Sequence, residues 1–250
     1  MAVSGKKICV IMQPAYLPWL GYFDLIDQSQ VFIFLDNVQF EKQSWQQRNR
    51  IRTPRGLEWL TVPIFIKGRS LQLIRDVEIA KSDRFPLKHW RKIEIAYRDA
   101  PYFTKYQQDL KELLLDASSM LYELNIEIIK WLTAMLEIKA DFATSSALGG
   151  QGKRSSLTVD LCKKVGAEIY LSPLGAQEYL QADYQKFAQA DINVWLHHYE
   201  HPVYRQLYSP FLSYASVIDL LFNEGERSLE IIRSGRRDAN LQVTCYEVVR

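Results

Sequence analysis

Apolar positions along the chain fall into two patterns, short solid runs and longer stretches spaced at three and four. Ile8-Cys9-Val10-Ile11-Met12 is a solid run stopped by Gln13-Pro14, which predicts a buried strand entering a loop. Leu20 to Gln28, with Leu20, Phe23 and Ile26 at helical spacing, predicts a short helix. Val31-Phe32-Ile33-Phe34-Leu35, closed by Asp36-Asn37, predicts a second strand. Strand, helix and strand in such close succession predict a right-handed parallel βαβ unit. Residues 38 to 56 are polar, basic and rich in glutamine. Trp59 to Ile64 reads as a strand that Pro63 confines to an edge or a strand end, and Leu71 to Ile79 reads as extended. Helices are predicted over Pro86–Tyr97, Pro101–Asp116 and Ser119–Leu136. In the last, Leu121, Leu124, Ile128, Trp131, Leu132 and Met135 form an apolar stripe best explained by core packing. Ala143 to Ser156 reads as a Gly-rich loop and Leu157–Lys164 as a helix stopped by Gly166. Ile169–Leu171 and Val194–Leu196 read as strands, and Leu212–Phe222 as an apolar helix closed before Gly225.

Alternating strands and helices define the expected class: α/β, a mostly parallel sheet with flanking helices. Residues 1–235 are expected to form one α/β domain with a helix-rich segment, about 86–140, as an insertion. Residues 236–250 are expected to be a weakly held polar C-terminal extension. The 250 residues are 48% hydrophobic and 24% charged, which excludes a disordered tail, a fibre and a disulfide scaffold. A net charge of +2 gives no bulk argument for nucleic acid or membrane binding. Cys9, Cys162 and Cys245 lie far apart and form no CxxC, which points to a reducing, cytoplasmic location. No apolar run approaches the roughly 20 residues of a membrane span, and Ile8–Met12 is too short for a signal-peptide core.

Several segments carry candidate chemistry. Gln13 to Phe23 packs prolines, Gly21 and four aromatics between a strand and a helix. In open α/β sheets such a loop lies where ligands bind. Gln13, Tyr16, Trp19 and Tyr22 are candidate ligand contacts, and Gly21 would permit close backbone approach. Arg48, Arg50 and Arg52 alternate, so on a strand they share one face and make a clamp for phosphate or carboxylate, with Asn49 beside them. A solvated surface, or ion pairs to Asp36 and Glu41, is the bland explanation. Asp36 ends an apolar strand and could bind a ribose hydroxyl, a metal or an amine nucleophile, or simply form an Asx turn. Lys153 lies in Gly149–Ser156, which lacks the first glycine of a P-loop but could close over phosphates. His197, His198 and His201 cluster without metal-binding spacing on a helix, so no metal is expected. His201 is the candidate general base, with Tyr204 and Gln206 alternating beside it. Asp219 interrupts an apolar helix and needs a partner, for which Arg48 or Arg50 is the expectation.

The runs QPAYLPWLGYFDLI, VFIFLDNVQFEKQSWQQRNRI and WLTVP resemble the WbqC-like protein family. Leu124-Asn125, Ser145-Ser146, Gly166-Ala167, His201 to Gln206 and Asp219 to Asn223 extend the resemblance over about residues 8 to 230. It implies a transferase of surface-glycan biosynthesis, including O-antigen and lipopolysaccharide, that acylates or aminoacylates (some members are labelled glycine transferases) the amine of a nucleotide-linked sugar. In that reading Asp36 or His201 takes the amine proton and the arginines hold the diphosphate. ATP, or a nucleotide-sugar with magnesium, is the implied cofactor. The expected partners are a nucleotide-linked sugar or nucleotide, and a protein of the glycan cluster or a second copy of the chain, with no nucleic acid. The opening is also similar to nucleotidylyltransferase-type, Rossmann-like domains. Trp19-Leu20-Gly21-Tyr22 stands where those carry His-x-Gly-His, so the two phosphate-binding imidazoles are absent. A non-catalytic module of a glycan assembly complex is the alternative, with an aromatic loop facing a protein partner. A single-stranded nucleic acid binder using Trp45 and Trp59 is least favoured by the balanced charge.

Overall fold

The computed structural model describes residues 5–66, 68–69, 71–80, 84–237 and 241–242. Its centre is a sheet of five parallel strands. β1 (Ile8–Met12) lies in the middle, with β2 (Val31–Phe34) and then β5 (Asp141–Thr144) on one side. On the other side come β6 (Ile169–Pro173) and β7 (Asn193–His197), and the antiparallel β8 (Leu241–Gln242) closes that edge. The chain winds outward from β1 to β2 and β5, then returns to begin again at β6. The carboxyl end of β1, beside β6, is therefore the switch point where open α/β sheets bind ligands. β3 (Arg48–Thr53) and β4 (Gly56–Thr61) form a separate antiparallel hairpin with Arg50 opposite Trp59.

The solid apolar runs of β1 and β2 are explained by burial on both faces. Val10, Phe32 and Phe34 face one core, and Cys9, Ile11, Val31 and Ile33 face the other, as the two-residue period of a strand requires. The larger core is covered by α1 (Leu20–Asp27), α2 (Phe85–Tyr97), α3 (Phe103–Leu115), α4 (Leu121–Met135), α8 (Val217–Glu224) and α9 (Ser228–Ser234). The smaller is covered by α5 (Ser155–Lys164), α6 (Gln177–Ala182) and α7 (Tyr184–Ala188). The helices of 86–140 share one continuous core with the sheet: Ile93, Leu110 and Ile128 belong to the same cluster as Val10 and Phe32.

Some elements differ from the sequence reading. β3 and β5 were not expected, because each is held by pairing to a neighbour and neither has a solid apolar run. β4 ends at Thr61, short of Pro63, and a short 3-10 turn at Ile74–Asp76 interrupts the extended segment. The last apolar helix starts at Val217 rather than Leu212. Ser216 caps it, its hydroxyl accepting from the Ile218 N–H at 3.4 Å. The C-terminal segment is tied down at its start: Arg236 Nε donates to Asp24 Oδ1 at 2.6 Å and its other nitrogen pairs with Asp27. Residues 238–240 and 243–250, with Cys245, lie outside the described residues. Among the described residues, no helix is long and apolar enough to cross a membrane.

Candidate ligand site at the carboxyl edge of the sheet

The loop leaving β1 is fixed by the polar groups of the segment before β3. Tyr16 N–H donates to the Trp45 carbonyl at 2.9 Å, and Gln46 Nε2 donates to Gln13 Oε1 at 2.8 Å. Asn125 of α4 donates its amide to both the Pro14 and Gln46 carbonyls, at 3.1 and 2.8 Å. Asn49 Nδ2 donates to the Leu17 carbonyl at 2.7 Å. These buried carbonyls need such donors, since an unpaired one costs about 1–3 kcal/mol. Together the two segments enclose a cavity of about 290 Å³. Its walls are Met12, Gln13, Ala15, Pro18, Trp19, Tyr22, Leu35, Glu41, Ser44, Trp45, Gln46 and Asn49. Gln46 lines the cavity and is buried, and its Oε1 has no protein partner.

Two of the expected contacts are buried rather than lining. Tyr16 is wholly enclosed, its hydroxyl 2.8 Å from His89 Nδ1. Burial raises the Tyr16 pKa and lowers that of His89 to about 4, so the imidazole is neutral and accepts from the phenol. Gly21 leaves room for Trp19: a Cβ there would stand 2.3 Å from the indole, so the close approach is made by a side chain of the chain itself. Tyr22 donates to the Gln13 carbonyl at 3.1 Å and lines the cavity.

Beside the cavity, Arg48 and Arg50 cluster with two tryptophans, of which Trp45 lines it. The Arg48 guanidinium carbon lies 4.3 Å from the centre of the Trp59 ring, and that of Arg50 lies 5.8 and 5.4 Å from Trp45 and Trp59. Neither arginine forms an ion pair among the described residues, and the Nε of each is buried without a partner. The ion pairs to Asp36 and Glu41 of the bland explanation are not made among the described residues. Arg52, the third of the row, turns inward: it is buried, and it donates to the Pro210 carbonyl at 3.0 Å. Asp219 forms no ion pair among the described residues: the expected pairing with Arg48 or Arg50 is not made, and Arg52 acts on it only through its charge. Burial raises the Asp219 pKa; Tyr204 Oη and Gln206 Nε2 donate to its Oδ2 at 2.7 and 2.8 Å. Gln206 also bonds the backbone of Leu212 in both directions. Tyr204 and Gln206 are thus placed on Asp219.

His201 stands one ring behind the cavity wall. It stacks on Trp19 at 6.2 Å and 14°, and contacts Tyr204, Phe211 and Tyr214. Its Nδ1 lies 2.9 Å from the Pro202 carbonyl, its Nε2 is enclosed without a partner, and burial lowers its pKa. Asp36 is buried at the end of β2. Ser146 N–H donates to its Oδ1 at 2.9 Å and the Ser146 hydroxyl to Oδ2, so it anchors the loop after β5. Lys153 is exposed and lines neither this cavity nor a second one beyond Leu35. Among the described residues no three His, Cys, Asp or Glu side chains are grouped to hold a metal ion.

Sequence reasoning missed His89, which lies in an ordinary-looking helix, and the part played by Asn125. An asparagine beside Leu124 on the apolar face of α4 was the available signal for the second. Glu41 entered only as an ion-pair partner.

The fold is α/β, with a cavity at the carboxyl ends of β1 and β2 of a parallel sheet. The chain belongs to the WbqC-like protein family, whose model matches residues 13–231. It is 33% identical over 234 residues to the "Uncharacterized protein Rv1507c" of Mycobacterium tuberculosis, covering 93% of this chain and 100% of that protein. No solved structure matches.

Proposed function

We propose that the chain works in the cytoplasm as a transferase of surface-glycan biosynthesis, moving an acyl or aminoacyl group onto the amine of a nucleotide-linked sugar. Membership of the WbqC-like family suggests the glycan-related role. The observation that carries the ligand assignment is the pair of guanidiniums, Arg48 and Arg50, without carboxylate partners among the described residues and packed on Trp59 and on Trp45, which lines the cavity. Two such groups match a diphosphate in charge and in donor geometry. The sugar then enters between Trp19, Tyr22 and Trp45, beside the side chains of Gln13 and Gln46.

The amine nitrogen attacks the carbonyl carbon of an activated acyl donor. A C–N bond forms, the bond to the donor's leaving group breaks and that group keeps the electron pair. The amine proton passes to Glu41, the carboxylate on the cavity wall. Asp36 has both oxygens held by Ser146, and His201 has its free nitrogen enclosed, so in this reading both are supports for the site.

Calorimetric titration with a uridine-diphosphate-linked amino sugar tests the reading. Saturable binding that Arg48→Ala weakens by about tenfold or more supports it. Absence of saturable binding, or binding indifferent to Arg48→Ala, overturns it.

A further inference from the structure

A second cavity, of about 380 Å³, opens on the opposite face of the same sheet edge. The two share Leu35 as a common wall, so they lie back to back across the carboxyl ends of β1 and β2. Ile11, Val38 and Leu157 give it aliphatic sides, and Tyr170 and Tyr179 give it an aromatic one. The hydroxyls of those tyrosines interact with one another and with Ser172, so the wall offers few free polar groups. At the mouth stands Arg154, just before α5, with its backbone at a φ of 51° that side chains rarely adopt. Its guanidinium forms no ion pair among the described residues, though the charge of Asp183 is felt nearby.

We propose that this cavity binds an acyl chain whose anionic head group is held by Arg154. The walls decide the class. A nucleobase buried there would leave its polar edges without partners, which is costly, whereas an alkyl chain has none to satisfy. The volume is within the roughly 300–1,000 Å³ of ligand pockets, and one cation at the mouth of an apolar cavity selects an amphiphile with a negative end. Because Leu35 separates the two cavities, this inference goes beyond the acyl-transfer reading and does not rest on it.

The test is titration of the full chain with sodium decanoate below its micellar range, and in parallel with uncharged methyl decanoate. Decanoate is expected to bind saturably at a single site. Thr158→Trp, on the cavity wall at the surface of α5, is expected to abolish binding of both ligands. Arg154→Ala is expected to weaken decanoate about fivefold and leave methyl decanoate unchanged. This second variant touches no core position and carries the test should Thr158→Trp fail to fold. No saturable binding of decanoate, or equal binding by both variants, overturns the proposal. So does adenosine binding that Thr158→Trp removes, which would give the cavity to a planar base. Decanoate binding that survives while the sugar nucleotide fails to bind would sink the first proposal and leave this one standing.

Discussion

The Arg48 guanidinium rests on the face of Trp59, 4.3 Å from carbon to ring centre, on the neighbouring strand of a two-stranded hairpin. Trp59 is 41% exposed, so the contact is made at a wet surface and survives there without a carboxylate. Cation–π pairs at such sites contribute about 0.5–1 kcal/mol. A double-mutant cycle of Arg48→Ala and Trp59→Ala, read by chemical denaturation, is expected to give a coupling in that range. The same two substitutions are expected to lower sugar-nucleotide affinity by more than they lower stability.

Trp19 occupies the space that Gly21 leaves open. Gly21→Ala forces the indole away from α1, and with it a wall of the cavity. The cost is expected to be about 1–3 kcal/mol, the usual penalty of overpacking. Denaturation curves and a shift in tryptophan emission measure both effects.

His89 is buried at 7% exposure and its pKa is lowered to about 4, chiefly by burial. In the unfolded chain the imidazole takes a proton near its ordinary value of about 6.5. Between these values the unfolded state binds more protons, so stability falls as the pH falls from about 6.5 to about 4. The loss attributable to this group is on the order of 3 kcal/mol. His89→Gln is expected to flatten that part of the stability–pH profile. His201, whose pKa burial also lowers, contributes with the same sign.

Asn125 holds two carbonyls from two different loops, those of Pro14 and Gln46. Asn125→Ala leaves both without their donor inside the protein and is expected to cost about 2 kcal/mol or more. Because those loops are the cavity walls, ligand affinity falls with it. Calorimetry on the variant, compared at a temperature where it remains folded, separates the two losses.

Cys9 and Cys162 are free, buried and in contact. The Cys162 thiol is pushed well up, first by its hydrogen bond with Cys9 and then by burial. Both are expected to resist iodoacetamide in the native protein and to react once denaturant is added, which mass spectrometry reads directly.

The amino-acid sequence by itself determined the α/β class, the central strands and the long helices. Solid apolar runs such as Val31–Phe34 and stripes such as that of Leu121–Met135 state their burial locally, since period and length are properties of neighbours along the chain. It also marked the loop from Gln13 and the row of arginines as unusual. Only the tertiary structure decided how that row divides. Arg48 and Arg50 stay half-buried on tryptophans, while Arg52, identical in type and two positions on, is buried and bonds the Pro210 carbonyl. Alternation can place three side chains on one face, but which of them meets solvent depends on where that face ends against α8. The same holds for Tyr16 with His89, for Asp24 with Arg236, and for β5, whose strand exists because β2 offers it an edge. Each depends on partners far away in the chain, and only the folded arrangement of the sheet supplies them.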